Sequence, residues 1–133
     1  MDEAAREAAL DARRQMLGDE YVNNAMADQS PAAVEFQRYV TEVAWSRWTR
    51  EPLSWRDRSL VTIAITAAMG RLAELELHLG SYRNAGVTDE EVDELIMHII
   101  AYAGAPAGVS ARRIVTRLRA EAAAAPGEQG GPA

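Results

Sequence analysis

The feature that most constrains this chain is its punctuation: helix-forming stretches are cut, one after another, by start and stop signals. Ser30-Pro31, Ser54 with Asp57, and Thr88 with Glu91 are starts. At each, a side-chain oxygen or a first-turn proline suits the unpaired N–H groups of a helix N-terminus. Gly18, Asn84-Ala85-Gly86, and Gly104 with Pro106 are stops, because glycine or asparagine accepts the backbone angles that end a helix. A chain divided in this way has little room for a strand.

The signals bound the segments. Residues 3–17 are rich in Ala, Arg, Glu, Leu and Met, strong helix formers, and predict a first helix. A second runs from Pro31 to about Trp48 on Val34, Phe36, Tyr39, Val40, Val43 and Ala44. The third, mostly buried, carries the apolar run Leu60–Met69. From Ala73 to Leu79 apolar and polar residues alternate as in a strand, yet the residue types favour helix and Leu72, Leu75 and Leu79 share one helical face. A fifth helix spans Val92 to about Ala103, and a sixth starts near Pro106 and passes through Ile114, Val115 and Leu118. The expectation is an all-α fold of about six helices, one domain over residues 1–125, with a Gly- and Pro-rich disordered tail over 126–133.

Composition narrows the function. At 133 residues, 48% apolar and 26% charged, the chain is an ordinary globular length and mixture. A net charge of −6 argues against nucleic acid or an anionic membrane as partner, so an anionic ligand needs a local arginine cluster. With no cysteine, disulfides, thiolate nucleophiles and cysteine metal sites are excluded. No stretch approaches the roughly 20 apolar residues of a membrane span, and the acidic N-terminus is unlike a signal peptide, which predicts a cytoplasmic protein.

Only two histidines are present, each with polar neighbours at helical spacing: Arg71, Glu74 and His78, and Glu94, His98 and Tyr102. A carboxylate one turn from an imidazole favours its charged form, which makes His78 a proton donor near neutral pH; the competing account is a solvated helix surface. His98, flanked by Met97, Ile99 and Ile100, fits better the edge of a buried helix or a subunit contact. Arg58 and Arg71 suit planar, bidentate binding of carboxylates, whereas Arg56 and Arg112 read as surface charges. Trp45, Trp48 and Trp55 fit either a pocket wall or core and interface packing. There is no HExxH pair, no metal constellation and no nucleotide-binding glycine loop, so the chemistry is expected to need neither metal nor cofactor.

Colinear landmarks carry a resemblance. They are the run from Arg13 to Asp19, Trp48-Thr49-Arg50, Arg58 to Ala64, Glu74 to Leu79, Asn84 to Thr88, and Tyr102 to Ala107. In order and spacing the chain resembles the 4-carboxymuconolactone decarboxylases, in the group that also holds the AhpD-type alkylhydroperoxidases. The redox members of that group need a Cys-x-x-Cys pair where this chain has Arg71 and Glu74, so the resemblance is to the non-redox branch. It implies an AhpD-like helical domain and a carboxy-lyase of protocatechuate catabolism, in the β-ketoadipate pathway. It also implies a small anionic lactone as substrate and a homo-oligomer, trimer or hexamer. On that footing His78 is the expected proton donor, Glu74 orients it, and Arg58 and Arg71 bind carboxylate and oxyanion.

Three positions depart from the family pattern. Trp45-Ser46-Arg47-Trp48 is one residue shorter than the usual Trp-Gly-Glu-x-Trp and lacks its glutamate. Val109 replaces an asparagine, and Trp55 stands where arginine is common. Two alternatives therefore stay open: a lyase, isomerase or cyclase of the same fold on a related lactone or biosynthetic intermediate, and a non-catalytic helical oligomer.

Overall fold

A computed structural model describes residues 1–125, and all regular structure among them is helical. Seven α-helices follow in order: α1 (Glu3–Leu17), α2 (Asp19–Ala25), α3 (Pro31–Ala44), α4 (Trp55–Ala68), α5 (Leu72–Leu79), α6 (Asp89–Ala103) and α7 (Ala105–Ala124). Short 3-10 helices cover Trp45–Thr49 and Tyr82–Ala85. The expected all-α fold is present, with α2 as the helix that the sequence signals do not mark. The tail expected to be disordered lies outside the described residues.

Side-chain caps open three of the seven helices. The Asp2 side chain accepts from the Ala5 N–H at 2.8 Å to open α1, and Ser54 accepts from Asp57 N–H at 3.0 Å to open α4. At α6 the box is reciprocal: Glu91 N–H donates to Thr88 Oγ1, and Thr88 N–H donates to the Glu91 carboxylate. Gly104 joins α6 to α7 with φ of 94°, an angle that costs a side-chain-bearing residue steric strain. One turn later Gly108 packs against Ile100, where a Cβ would collide with the isoleucine side chain, so α6 and α7 approach closely.

Two apolar clusters hold these helices. The larger joins α4 to α7 around Ile63, Leu75, Leu79, Ile96, Ala111 and Val115. The smaller packs Ala9, Ala12 and Met16 of α1 against Trp45 and Trp48, the two alanines leaving room for the indoles. Asn84 links the clusters by donating its side-chain N–H to Met16 O at 2.7 Å.

Two expectations change here. Helix α3 stops at Ala44 and tightens to 3-10 geometry, where the expected helix ran on to Trp48. At three residues per turn, positions i and i+3 lie above one another, so Trp45 and Trp48 stack with ring centroids 5.1 Å apart. The apolar run of α4 is also not mostly buried: Ser59, Ile63 and Ala67 face inward, while Val61, Ile65 and Met69 are about half exposed or more. The neighbouring helices cover one side of α4 only.

Candidate active site

Helix α5 brings its reactive face inward because Leu75, His78 and Leu79, at i, i+3 and i+4, are its buried residues. Leucines anchor the helix in the larger cluster, and the same rotation delivers His78 to the tryptophan pair. The imidazole lies nearly parallel to both indoles, 6.2 Å from each ring centroid, at 15° to Trp45 and 16° to Trp48. Trp55 meets Trp48 edge-on at 6.1 Å and donates its indole N–H to Trp48 O at 2.6 Å, fixing the 3-10 turn from the other side.

This aromatic wall closes one side of a cavity of about 580 Å³. His78, Glu74, Arg58, Arg47 and Arg13 all line it. Its volume falls in the range typical of small-molecule sites, and its surface mixes apolar walls with a few charges in the way such sites do. Among the described residues no three His, Asp or Glu side chains gather as metal ligands.

Burial dominates the electrostatics of His78. Removal from water pushes its pKa down from 6.5 to about 4, and the opposing attraction of Glu74 does not restore it. The expectation of a charged imidazole near neutral pH is therefore corrected: in the free protein the ring is neutral, because Glu74 is exposed while His78 is walled by indoles. Nδ1 is buried without a hydrogen-bond partner, leaving Nε2 as the nitrogen available to the cavity.

A buried neutral histidine makes stability depend on pH. The unfolded chain takes up this proton more readily than the folded one, so the contribution is intact above about pH 6.5 and is lost as pH falls toward 4. Wild type is expected to lose roughly 2 kcal/mol more than His78→Gln between pH 7 and pH 5. Urea midpoints at the two pH values measure this, and equal losses would show that His78 does not carry the proton.

The four residues singled out in the sequence do not all meet. Arg58 lines the cavity, its guanidinium steadied by Nε–H to Leu53 O and Nη2–H to Arg50 O, both at 3.1 Å. Arg71 stands outside it, exposed at the N-cap of α5. The i, i+3, i+7 spacing assumes helical backbone at Arg71, but its φ of −85° and ψ of 75° are not helical, and the shared face begins only at Leu72. Leu72 itself is half exposed, unlike Leu75 and Leu79. His98 is exposed on α6 and lies against Tyr102, ring centroids 4.8 Å apart and planes tilted by 37°, away from the cavity. Arg56 pairs with Glu91 and Arg112 with Asp93, in keeping with surface roles.

One buried, charged cavity residue escapes sequence reasoning. Arg13, only 4% exposed, lines the cavity from α1, donating from Nη1 to Thr41 Oγ1 at 3.2 Å and from Nη2 to Gln37 Oε1 at 2.8 Å. Its signal in the sequence is slight: Ala9, Ala12 and Met16 mark the buried face of α1, and Arg13 sits within that face.

Comparison with known proteins adds to this geometry. The sequence model of the carboxymuconolactone decarboxylase family matches residues 35–117, a span that holds Arg58, Glu74 and His78. A 4-carboxymuconolactone decarboxylase of Acinetobacter baylyi is 36% identical over 126 residues, covering 94% of each chain. A nitrosuccinic acid decarboxylase of Metarhizium robertsii is 37% identical over 106 residues, covering 79% of this chain and 73% of the relative.

Proposed function

The chain belongs to the carboxymuconolactone decarboxylase family, and from that premise we propose that it converts 4-carboxymuconolactone to the enol-lactone of β-ketoadipate. The observation that carries this reading is the cavity, where a buried, solvent-shielded histidine faces arginines that have no counter-ion. Arg13, Arg47 and Arg58 pair with no carboxylate among the described residues; Arg50, Arg71 and Arg113 outside the cavity are unpaired too, but each is exposed to water, whereas Arg13 is buried. Such a site is built for an anion.

The substrate supplies its own electron sink. The bond from the ring carbon to its carboxylate breaks, carbon dioxide leaves, and the electron pair moves through the ring double bond onto the lactone carbonyl oxygen. Arg58, held by backbone carbonyls, stabilises the resulting dienolate oxygen. His78 Nε2 then delivers one proton to the ring carbon next to the carbonyl. The low pKa of the free protein fits such a donor: an incoming anion is the charge the site lacks, so substrate binding raises the pKa and loads the imidazole with the proton that the reaction consumes. Glu74, one turn away, supports the charged form by its attraction, while the parallel indoles of Trp45 and Trp48 hold the ring.

A second substrate class has a specific observation behind it. The Metarhizium relative is named for nitrosuccinic acid, whose nitro group is likewise an electron sink beside a leaving carboxylate. A related acid on this fold therefore stays in contention, particularly since Ser46 and Arg47 alter the tryptophan segment.

The proposal includes a cytoplasmic homo-oligomer, a trimer or hexamer. Among the described residues no helix is long and apolar enough to cross a membrane. The half-exposed Val61, Ile65 and Met69 of α4 and Phe36 and Tyr39 of α3 form apolar surface suited to burial between copies. The non-catalytic reading, in contrast, gives no reason for His78, Glu74 and Arg58 to line one cavity.

Purified protein incubated with 4-carboxymuconolactone, without added metal or nucleotide, should release carbon dioxide and form the enol-lactone. A folded protein that leaves the compound intact would overturn the substrate assignment, and turnover of nitrosuccinic acid alone would move it to the second class.

A further inference from the structure

The mechanism uses Arg58 and His78 but gives Arg13 no role, although a buried cation is costly to keep. Two of its five N–H groups reach neutral oxygens of Gln37 and Thr41, and Nε–H is buried with no partner at all. Neutral acceptors satisfy donors without cancelling charge, and no carboxylate lies within ion-pair distance among the described residues. A cation left this way in the fold is destabilising unless something completes it. Burial also pushes the guanidinium pKa down, the direction expected when no anion is at hand.

We infer that Arg13, held in place by Gln37 and Thr41, is a second anion subsite in the same cavity, one that grips the carboxylate the substrate keeps and so selects dicarboxylates. This rests on the decarboxylase reading above. Electrostatics decides which carboxylate goes where. The leaving carboxylate becomes neutral carbon dioxide, and a buried guanidinium holding it would oppose that loss of charge by about 4 kcal/mol at 4 Å and an effective dielectric of about 20. Interactions that stabilise only the ground state slow the reaction. The group suited to Arg13 is therefore the one whose charge is the same before, during and after bond cleavage. 4-Carboxymuconolactone has such a group in its carboxymethyl arm, and nitrosuccinic acid has one in its second carboxylate. The leaving carboxylate is then left to the uncharged indoles of Trp45 and Trp48, where losing charge is favoured.

Muconolactone, with hydrogen in place of the leaving carboxylate, tests the subsite without turnover. Calorimetric dissociation constants are compared for the acid and its methyl ester on wild type, Arg13→Gln and Arg13→Lys. Wild type should prefer the acid by roughly 10–100-fold, the worth of hydrogen bonds to a charged group. Arg13→Gln should lose that preference, and Arg13→Lys, a point charge without the planar fork, should keep only part of it. Should Arg13→Gln fail to fold, Arg13→Lys carries the comparison. Should wild type bind neither compound, the lactone reading fails, and succinate against its monomethyl ester, read by thermal midpoint, takes their place. A wild type with no preference for acid over ester, or an unchanged preference in the Arg13 variants, overturns the subsite. Acid preference lost on substitution, in a protein that releases no carbon dioxide, upholds the subsite and overturns the decarboxylation reading alone.

Discussion

His78→Gln is expected to lower kcat for decarboxylation by roughly 10²–10⁴-fold, the usual worth of a positioned general acid, while leaving the helical fold in place. Glutamine keeps polar atoms in the cavity but has no proton to give at neutral pH. The loss should fall on kcat more than on KM, since Arg13 and Arg58 still hold the anion. Steady-state kinetics with far-ultraviolet circular dichroism as the folding control checks this. Wild-type turnover in a folded variant would remove His78 from the mechanism. An accompanying signature follows from the pKa of about 4 in the free protein: substrate binding to wild type should draw protons from a weakly buffered solution, and binding to His78→Gln should not.

Trp48→Ala carries the largest expected effect on stability, about 3–5 kcal/mol, the cost of truncating a buried aromatic residue to alanine. Trp48 is buried between Trp45, Trp55 and His78, and α1 closes over it through Ala9, Ala12 and Met16. Removing the indole opens a void beside the imidazole and admits water. The same variant should therefore move the His78 pKa back up toward 6.5, because the desolvation that lowers it is relieved. Urea unfolding measures the first effect, and imidazole proton shifts followed by NMR measure the second. A stable variant with an unmoved His78 pKa would show that Trp48 does not provide the shielding.

The helical boundaries are legible because capping is local. Ser54, and Thr88 with Glu91, act on N–H groups three residues away, so sequence order alone places them. The α2 helix is not legible: its seven residues follow Gly18 directly with no capping side chain of their own. The alternation over Ala73–Leu79 folds as the helix its residue types favour, since propensity outweighs a pattern this short.

The site is legible only in part, for a different reason. Glu74 and His78 share a face because both lie within α5, where the 3.6-residue period holds. Arg71 lies one residue before that helix, and a single non-helical ψ turns it out of register. The charge state of His78 differs from the expectation because a one-turn carboxylate is visible in sequence, whereas two indoles from a different segment are not.

What the sequence by itself determined is the all-α fold, the absence of thiol chemistry, the family and the His78–Glu74 pair, each set by residue identity or by interactions within a few positions. What only the tertiary structure decided is that α3 tightens into a 3-10 turn to stack Trp45 on Trp48, that this stack desolvates His78, and that Arg13 is buried without an anion in the same cavity. The physical reason is common to all three. Desolvation and charge compensation depend on what surrounds a group in space, and here those surroundings come from α1, α3, the 3-10 turn that follows it and α5, which meet only when the chain is folded.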